Sequence, residues 1–129
     1  MPKESSERRF EYIASLDEAE LDRVRDDLHT VKERVFWLLR RFPFARNNDL
    51  FLILMYIRFF VPEFSQYIRY IPTDELMKLC GQVNLESIRR ARQYIQNTLG
   101  YFPPTNPRVR RRRQKREKAF RRIFGRREI

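Results

Sequence analysis

The stretch "LFLILMYIRFFV", Leu50 to Val61, constrains this chain more than any other. On a helix its apolar side chains point in every direction except that of Arg58, so the segment has to be surrounded by other elements. Twelve residues fall well short of the ~20 needed to cross a bilayer, which makes it a buried central helix. Asn47 or Asn48 can cap its start, Asp49 suits its first turn, and Pro62 closes it. Eleven Phe, six Tyr and 42% hydrophobic residues in 129 positions give one domain enough bulk for a core. The expected fold is all-α: a compact helical domain carrying a helix-turn-helix-like unit, a long N-terminal helix and a basic C-terminal helix.

Upstream, residues 1–16 read as a flexible N-terminus. Leu21, Val24, Leu28, Val31, Val35, Leu38 and Phe42 then alternate at spacings of three and four, the apolar repeat of a heptad. This pattern predicts one long amphipathic helix over 17–42, with Asp17, Glu18, Glu20 and Asp22 at its positive end and Arg40 and Arg41 at its negative end. Pro43 ends it. The seam formed by Leu21, Val24, Leu28, Val31 and Val35 has two readings. It pairs with a second copy or a protein partner, or it packs inside its own domain. Phe36, Trp37 and Leu39 widen the apolar face toward the core.

Residues 43–102 form the expected helical core, with the helix-turn-helix-like unit at 73–99. Tyr67, Ile68, Tyr70 and Ile71 can add to that core. Thr73 is placed to cap a first helix with Leu76, Leu79 and Cys80 inward and Gly81 at its end. Asn84 caps a second helix running to Leu99, where Gly100 supplies the left-handed C-terminal residue. At 100° per residue, Leu85, Ile88, Ala91, Ile95 and Leu99 face the core. Glu86, Ser87, Arg89, Arg90, Gln93, Tyr94 and Asn97 occupy the other arc. Arg, Gln and Asn are side chains that pair with base edges in the major groove, where a helix fits. Arg92 falls inside the apolar stripe and requires a carboxylate partner, Glu75 or Asp49.

Charge is concentrated at the end of the chain. Residues 1–33 carry 6 basic and 10 acidic side chains (−4), 34–106 carry 10 and 5 (+5), and 107–129 carry 12 and 2 (+10). Pro103, Pro104 and Pro107 make 103–107 a linker, and Asn106 with Pro107 forms a cap and first-turn pair. In the run 108–122, Arg108, Arg110, Arg111, Arg112, Arg113, Lys115 and Arg116 are the expected phosphate contacts, since neutralised phosphates release condensed counterions. Val109, Phe120, Ile123 and Phe124 share one side of this helix and are expected to dock it.

Catalysis is not expected. The one His and one Cys lie far apart, no Gly-rich phosphate loop or metal-ligand spacing is present, and no cofactor is implied. His29 reads as a surface group within the first helix, and Asp49, Glu63, Asp74 and Glu75 lack the spacing of a nuclease site. Cys80, being alone, fits a reducing compartment. The first ten residues lack the apolar core of a signal peptide, and no membrane association is expected.

Arg46, Asn47 and Asp49, followed by Ser87, Ile88, Arg90, Arg92, Ile95, Gln96 and Asn97, and then Gly100, Pro104, Thr105, Pro107 and Val109, form a recurring pattern. In it, this chain resembles small proteins encoded by tailed bacteriophages and related proviruses over residues 35–113. The resemblance implies a viral origin, a host-cell cytoplasmic location and a helix-turn-helix-like domain. Together these observations predict a non-enzymatic DNA-binding protein, a transcriptional regulator or genome-associated factor. The 84–99 helix would meet the groove of duplex DNA and the Arg run its phosphates. The alternatives are an inhibitor or adaptor bound to a host or viral protein of nucleic-acid metabolism, and an RNA-binding protein.

Overall fold

A computed structural model describes the backbone of residues 5–67 and 72–124, and the side chains of residues 7–64, 72–119 and 122. Among the described residues the chain is all-α, with seven α-helices and no strand. In chain order these are α1 (Ser5–Ser15), α2 (Glu18–Val24), α3 (Val31–Arg41), α4 (Asp49–Phe60), α5 (Thr73–Gln82), α6 (Leu85–Gln93) and α7 (Pro107–Phe124). No helix among the described residues is long and apolar enough to cross a membrane.

The centre of the core is α3. Val35, Phe36, Trp37, Leu38 and Leu39 are all buried, and the helix packs against α1, α4 and α6. The apolar run in α4, expected at the centre, lies to one side. Leu52, Tyr56 and Ile57 are buried, Phe51, Ile53, Met55, Phe59 and Phe60 are partly buried, and Leu50 is exposed. Five consecutive apolar residues in α3 cover its whole circumference, so it is α3 that needs neighbours on all sides.

Of the segment expected to be flexible, 1–16, the described part from residue 5 onward is ordered in the fold. From Ser5 it forms α1, whose Phe10 and Ile13 are fully buried, and the Phe10 ring stacks on Phe36 at 4.5 Å between centroids. Such a stacked pair stabilises by about 1 kcal/mol beyond the area it buries.

The single helix expected over 17–42 is broken. After α2 come a 3₁₀ turn at Arg25–Asp27 and an extended Leu28. The local cause lies in the caps. Asp17 and Glu20 form a reciprocal capping box for α2, and the Thr30 hydroxyl accepts the Glu33 N–H to start α3. The intervening Asp26, Asp27, His29 and Thr30 are weak helix formers. His29, expected inside a helix, sits exposed in this break.

Tertiary bonds fix the fold-back. Trp37 Nε1 donates to the Leu21 carbonyl at 2.7 Å, and Arg34 Nε donates to the Leu28 carbonyl at 3.0 Å. The seam consequently closes within its own domain. Leu21, Leu28 and Val35 are buried and Val24 and Val31 pack partly against the same cluster, so these residues do not form a seam for a second copy or a partner.

Asn48 caps α4 by accepting the Phe51 N–H, and Asn84 caps α6 by accepting the Ser87 N–H. Between them, α5 differs from expectation in two respects. It begins at Thr73 without a side-chain cap and runs through Gly81 to Gln82, so only Val83 and Asn84 separate it from α6. Of its expected inner face, Leu79 alone is buried, while Leu76 and Cys80 are exposed. Ile68, Tyr70 and Ile71 lie outside the described residues, and the Tyr67 side chain does as well.

Candidate nucleic-acid interface

The basic helix is held to the domain by a polar cluster built on Asp49. Standing at the N-terminal end of α4, where the dipole favours a carboxylate, Asp49 accepts two hydrogen bonds from Arg92, at 2.8 and 3.1 Å. Arg92 is only 4% exposed, and it has the carboxylate partner that its place in the apolar stripe requires. Beyond α6 the chain continues as a π turn, Tyr94–Thr98, which places Gln96 inward.

Every hydrogen-bonding position of the Gln96 amide is used. Its oxygen accepts from Arg92 at 3.2 Å and Arg113 at 3.1 Å, and its nitrogen donates to the carbonyls of Arg46 at 3.2 Å and Phe102 at 2.8 Å. Phe102 has a left-handed backbone, φ 48°, a conformation costing about 1 kcal/mol for such a residue. Its carbonyl bond to Gln96 and its ring, packed against Phe36 and under the Arg46 guanidinium, hold it there.

Arg113 completes the cluster. Its Nη1 donates to the Arg46 carbonyl at 2.7 Å and its Nη2 lies 3.6 Å from Asp49 Oδ1. Burial and the neighbouring Arg92, Arg112 and Arg116, opposed by Asp49, bring its guanidinium down to about 10, still charged at neutral pH. Arg46 is lowered as well, first by burial and then by Arg40. Arg113 was expected among the phosphate contacts. It faces the domain instead and anchors α7, because the Arg46 carbonyl and the Gln96 oxygen need donors there.

Two further features fix the start of α7. Asn106 accepts the Arg108 N–H at 2.9 Å as a cap, and its own N–H donates to the Asn47 side-chain oxygen at 3.0 Å. Asn47 in turn donates to the Thr105 hydroxyl at 2.8 Å. Val109 is buried one turn later, so cap, apolar contact and Arg113 together set the rotation of the helix.

With Val109 and Arg113 inward, Arg108, Arg111, Lys115, Lys118 and Arg122 fall along the opposite side. They are spaced three and four apart and all are exposed. None of the five forms an ion pair among the described residues. The stripe extends about 21 Å, the rise of roughly six base pairs. Arg110 and Arg112 flank it and are also exposed, with Arg110 donating to the Pro104 carbonyl at 3.3 Å; Arg116, expected among the phosphate contacts, is exposed but stands seven residues from Val109 and so on that residue's side of the helix. Lys118 and Arg122 were not singled out from the sequence, since the outward line is defined only after Val109 and Arg113 fix the inward one. The side chains of Phe120, Ile123 and Phe124, expected to dock this helix, lie outside the described residues.

The outer face of α6 is less cationic than its sequence suggests. Glu86 engages Arg89 through two bonds, at 2.7 and 3.2 Å, which holds the Glu86 carboxyl below and the Arg89 guanidinium above their ordinary values. Arg90 stands 3.6 Å from the same carboxylate and projects further into solvent. Ser87 and Gln93 are half-buried, and Tyr94 is half-buried beneath the Lys32 ammonium, 4.5 Å from its ring centroid. Of the residues expected to meet bases, Arg90 and Asn97 are the exposed ones without a close side-chain bond. No protein-family model, curated protein or solved structure matches the chain.

Proposed function

We propose that this chain is a non-enzymatic nucleic-acid-binding protein that grips the phosphates of duplex DNA with the outer stripe of α7. The observation carrying the proposal is the anchoring of α7. A basic helix pinned by Arg113, Val109 and the Asn106 cap presents five outward cations at fixed spacing, so little ordering entropy is lost on binding. In this reading α5 and α6 serve as the helix-turn-helix-like unit, with Arg90, Gln93 and Asn97 toward the groove. The origin is phage-like, as the pattern around Ser87–Asn97 suggests, the location is the host-cell cytoplasm, and the role is a transcriptional regulator or genome-associated factor.

The seam that would have supported a homodimer or a protein partner is consumed by the core, which favours binding through α7 over those alternatives. The test is binding to a flush duplex of about 20 base pairs over a salt series. Five to seven phosphate contacts give a log K against log salt slope of about −4.5 to −6. A slope near −1 would overturn the reading.

A further inference from the structure

Beside α7, a cleft of about 340 Å³ opens between the π turn, the proline linker and the helix. Gln96 and Arg113 form its inner wall and are committed to the anchoring cluster. The rest of the lining is differently equipped. Asn97 and Gln114 are exposed, and their side-chain amides have no hydrogen-bond partner among the described residues. Arg110 contributes a cation, Glu117 a carboxylate, Pro103 an exposed apolar ring and Pro104 the edge of a buried one.

We propose that this cleft seats one unpaired nucleotide of a strand whose neighbouring duplex lies on α7. Arg110 meets the phosphate of that nucleotide. The base lies against the proline rings, and Asn97, Gln114 and Glu117 meet its edge. Two amides, each with a donor and an acceptor, match the mixed edge of a nucleobase rather than a bare phosphate. A carboxylate has four lone-pair sites and accepts from an exocyclic amino group while engaged elsewhere. Adenine, cytosine and guanine carry such an amino group and uracil and thymine do not, so the seat selects the former. The volume suits a small ligand of this size, and Arg110 belongs to the same helix as the phosphate-binding stripe. A duplex carrying a bulged or flipped nucleotide therefore reaches the cleft without leaving α7.

The inference rests on the nucleic-acid reading above, and the experiment separates the two. Flush duplex and the same duplex with a single adenine bulge are titrated against the full chain and against the Gln114→Ala variant, which leaves every residue of the groove and phosphate contacts unaltered. The bulged duplex is expected to bind about tenfold tighter to the unaltered chain. The variant is expected to lose that advantage while keeping its affinity and salt slope on the flush duplex. Equal affinities for the two duplexes, or a variant weakened equally on both, overturn the seat and leave the phosphate-binding reading intact.

Should neither duplex bind, the phosphate-binding reading fails and the cleft is judged by itself. Adenosine, guanosine, cytidine and uridine 5′-monophosphates are titrated while the side-chain amide resonances of Asn97 and Gln114 are followed. Saturable shifts with the first three, at least about tenfold weaker with uridine monophosphate and inorganic phosphate, sustain the seat. Absent or base-independent shifts overturn it.

Discussion

Asp49→Asn is the sharpest perturbation of the cluster that anchors α7. The replacement preserves shape but removes the carboxylate that faces both Arg92 and Arg113. Of the two bonds to Arg92, at 2.8 and 3.1 Å, an amide keeps at most one and turns an N–H toward a guanidinium that has only donors. Breaking a buried ion pair by removing one partner costs about 3–5 kcal/mol. Arg92 is 4% exposed but the Asp49 side chain is 30% exposed, so water reaches one partner and the lower end, about 3 kcal/mol, is expected. For a domain of this size, that lowers Tm by roughly 12 °C.

Urea unfolding followed by the fluorescence of the buried Trp37 measures the change, with the denaturant slope unaltered. Adding Arg92→Met removes the stranded charge, so the double variant should be less destabilised than the two singles together by at least about 1 kcal/mol. Hydrogen exchange in 107–116 should accelerate in Asp49→Asn, since Arg113 loses its nearby anion. An Asp49→Asn protein within about 0.5 kcal/mol of the original, or additive effects in the pair, would refute the reasoning.

Phe10→Ala should destabilise the fold by about 3–5 kcal/mol in the same assay, because a fully buried ring stacked on Phe36 is lost; a change below 1 kcal/mol would mean α1 is dispensable. Gly100→Ala meets no neighbouring atom, so its expected cost of about 1 kcal/mol comes from the backbone φ of 76° alone, and a stabilised variant would contradict it. The Glu86 carboxyl has a folded-state value below its unfolded one, chiefly through its bond to Arg89. Its contribution to α6 is therefore present above the ordinary carboxylate range and is lost as pH falls through the folded value. The titration midpoint of the Glu86 side-chain carbon by NMR should fall below that of an unstructured Glu and return to it in Arg89→Gln.

Local chemistry was the readable part of this sequence. The caps at Asn48, Asn84 and Asn106, the left-handed Gly100 and the need of Arg92 for a carboxylate all follow from a residue and its near neighbours. The break after α2 was hidden because Leu21, Leu28 and Val35 point into one core on either side of it, which preserves the spacing of an unbroken helix. Two start signals, Asp17 with Glu20 and Thr30 with Glu33, are nevertheless written in the chain.

In α1 the apolar pattern of Phe10 and Ile13 is short and set among charges, so its burial becomes evident only with Phe36 opposite. The inward turn of Arg113 depends on the Arg46 carbonyl, 67 residues away, and composition alone cannot distinguish an anchoring arginine from its outward neighbours.

That distinction gives the most direct test of the central claim, a comparison of Arg111→Ala with Arg113→Ala in both unfolding and duplex binding across salt. Arg111→Ala should leave the unfolding free energy within about 0.5 kcal/mol and make the salt slope shallower by about 0.9, the loss of one phosphate contact. Arg113→Ala should lower stability by about 2 kcal/mol, since the bonds to the Arg46 carbonyl and Gln96 are lost. A stable Arg113→Ala protein, or an Arg111→Ala protein with an unchanged slope, would contradict a helix anchored by one arginine so that others face the polyanion.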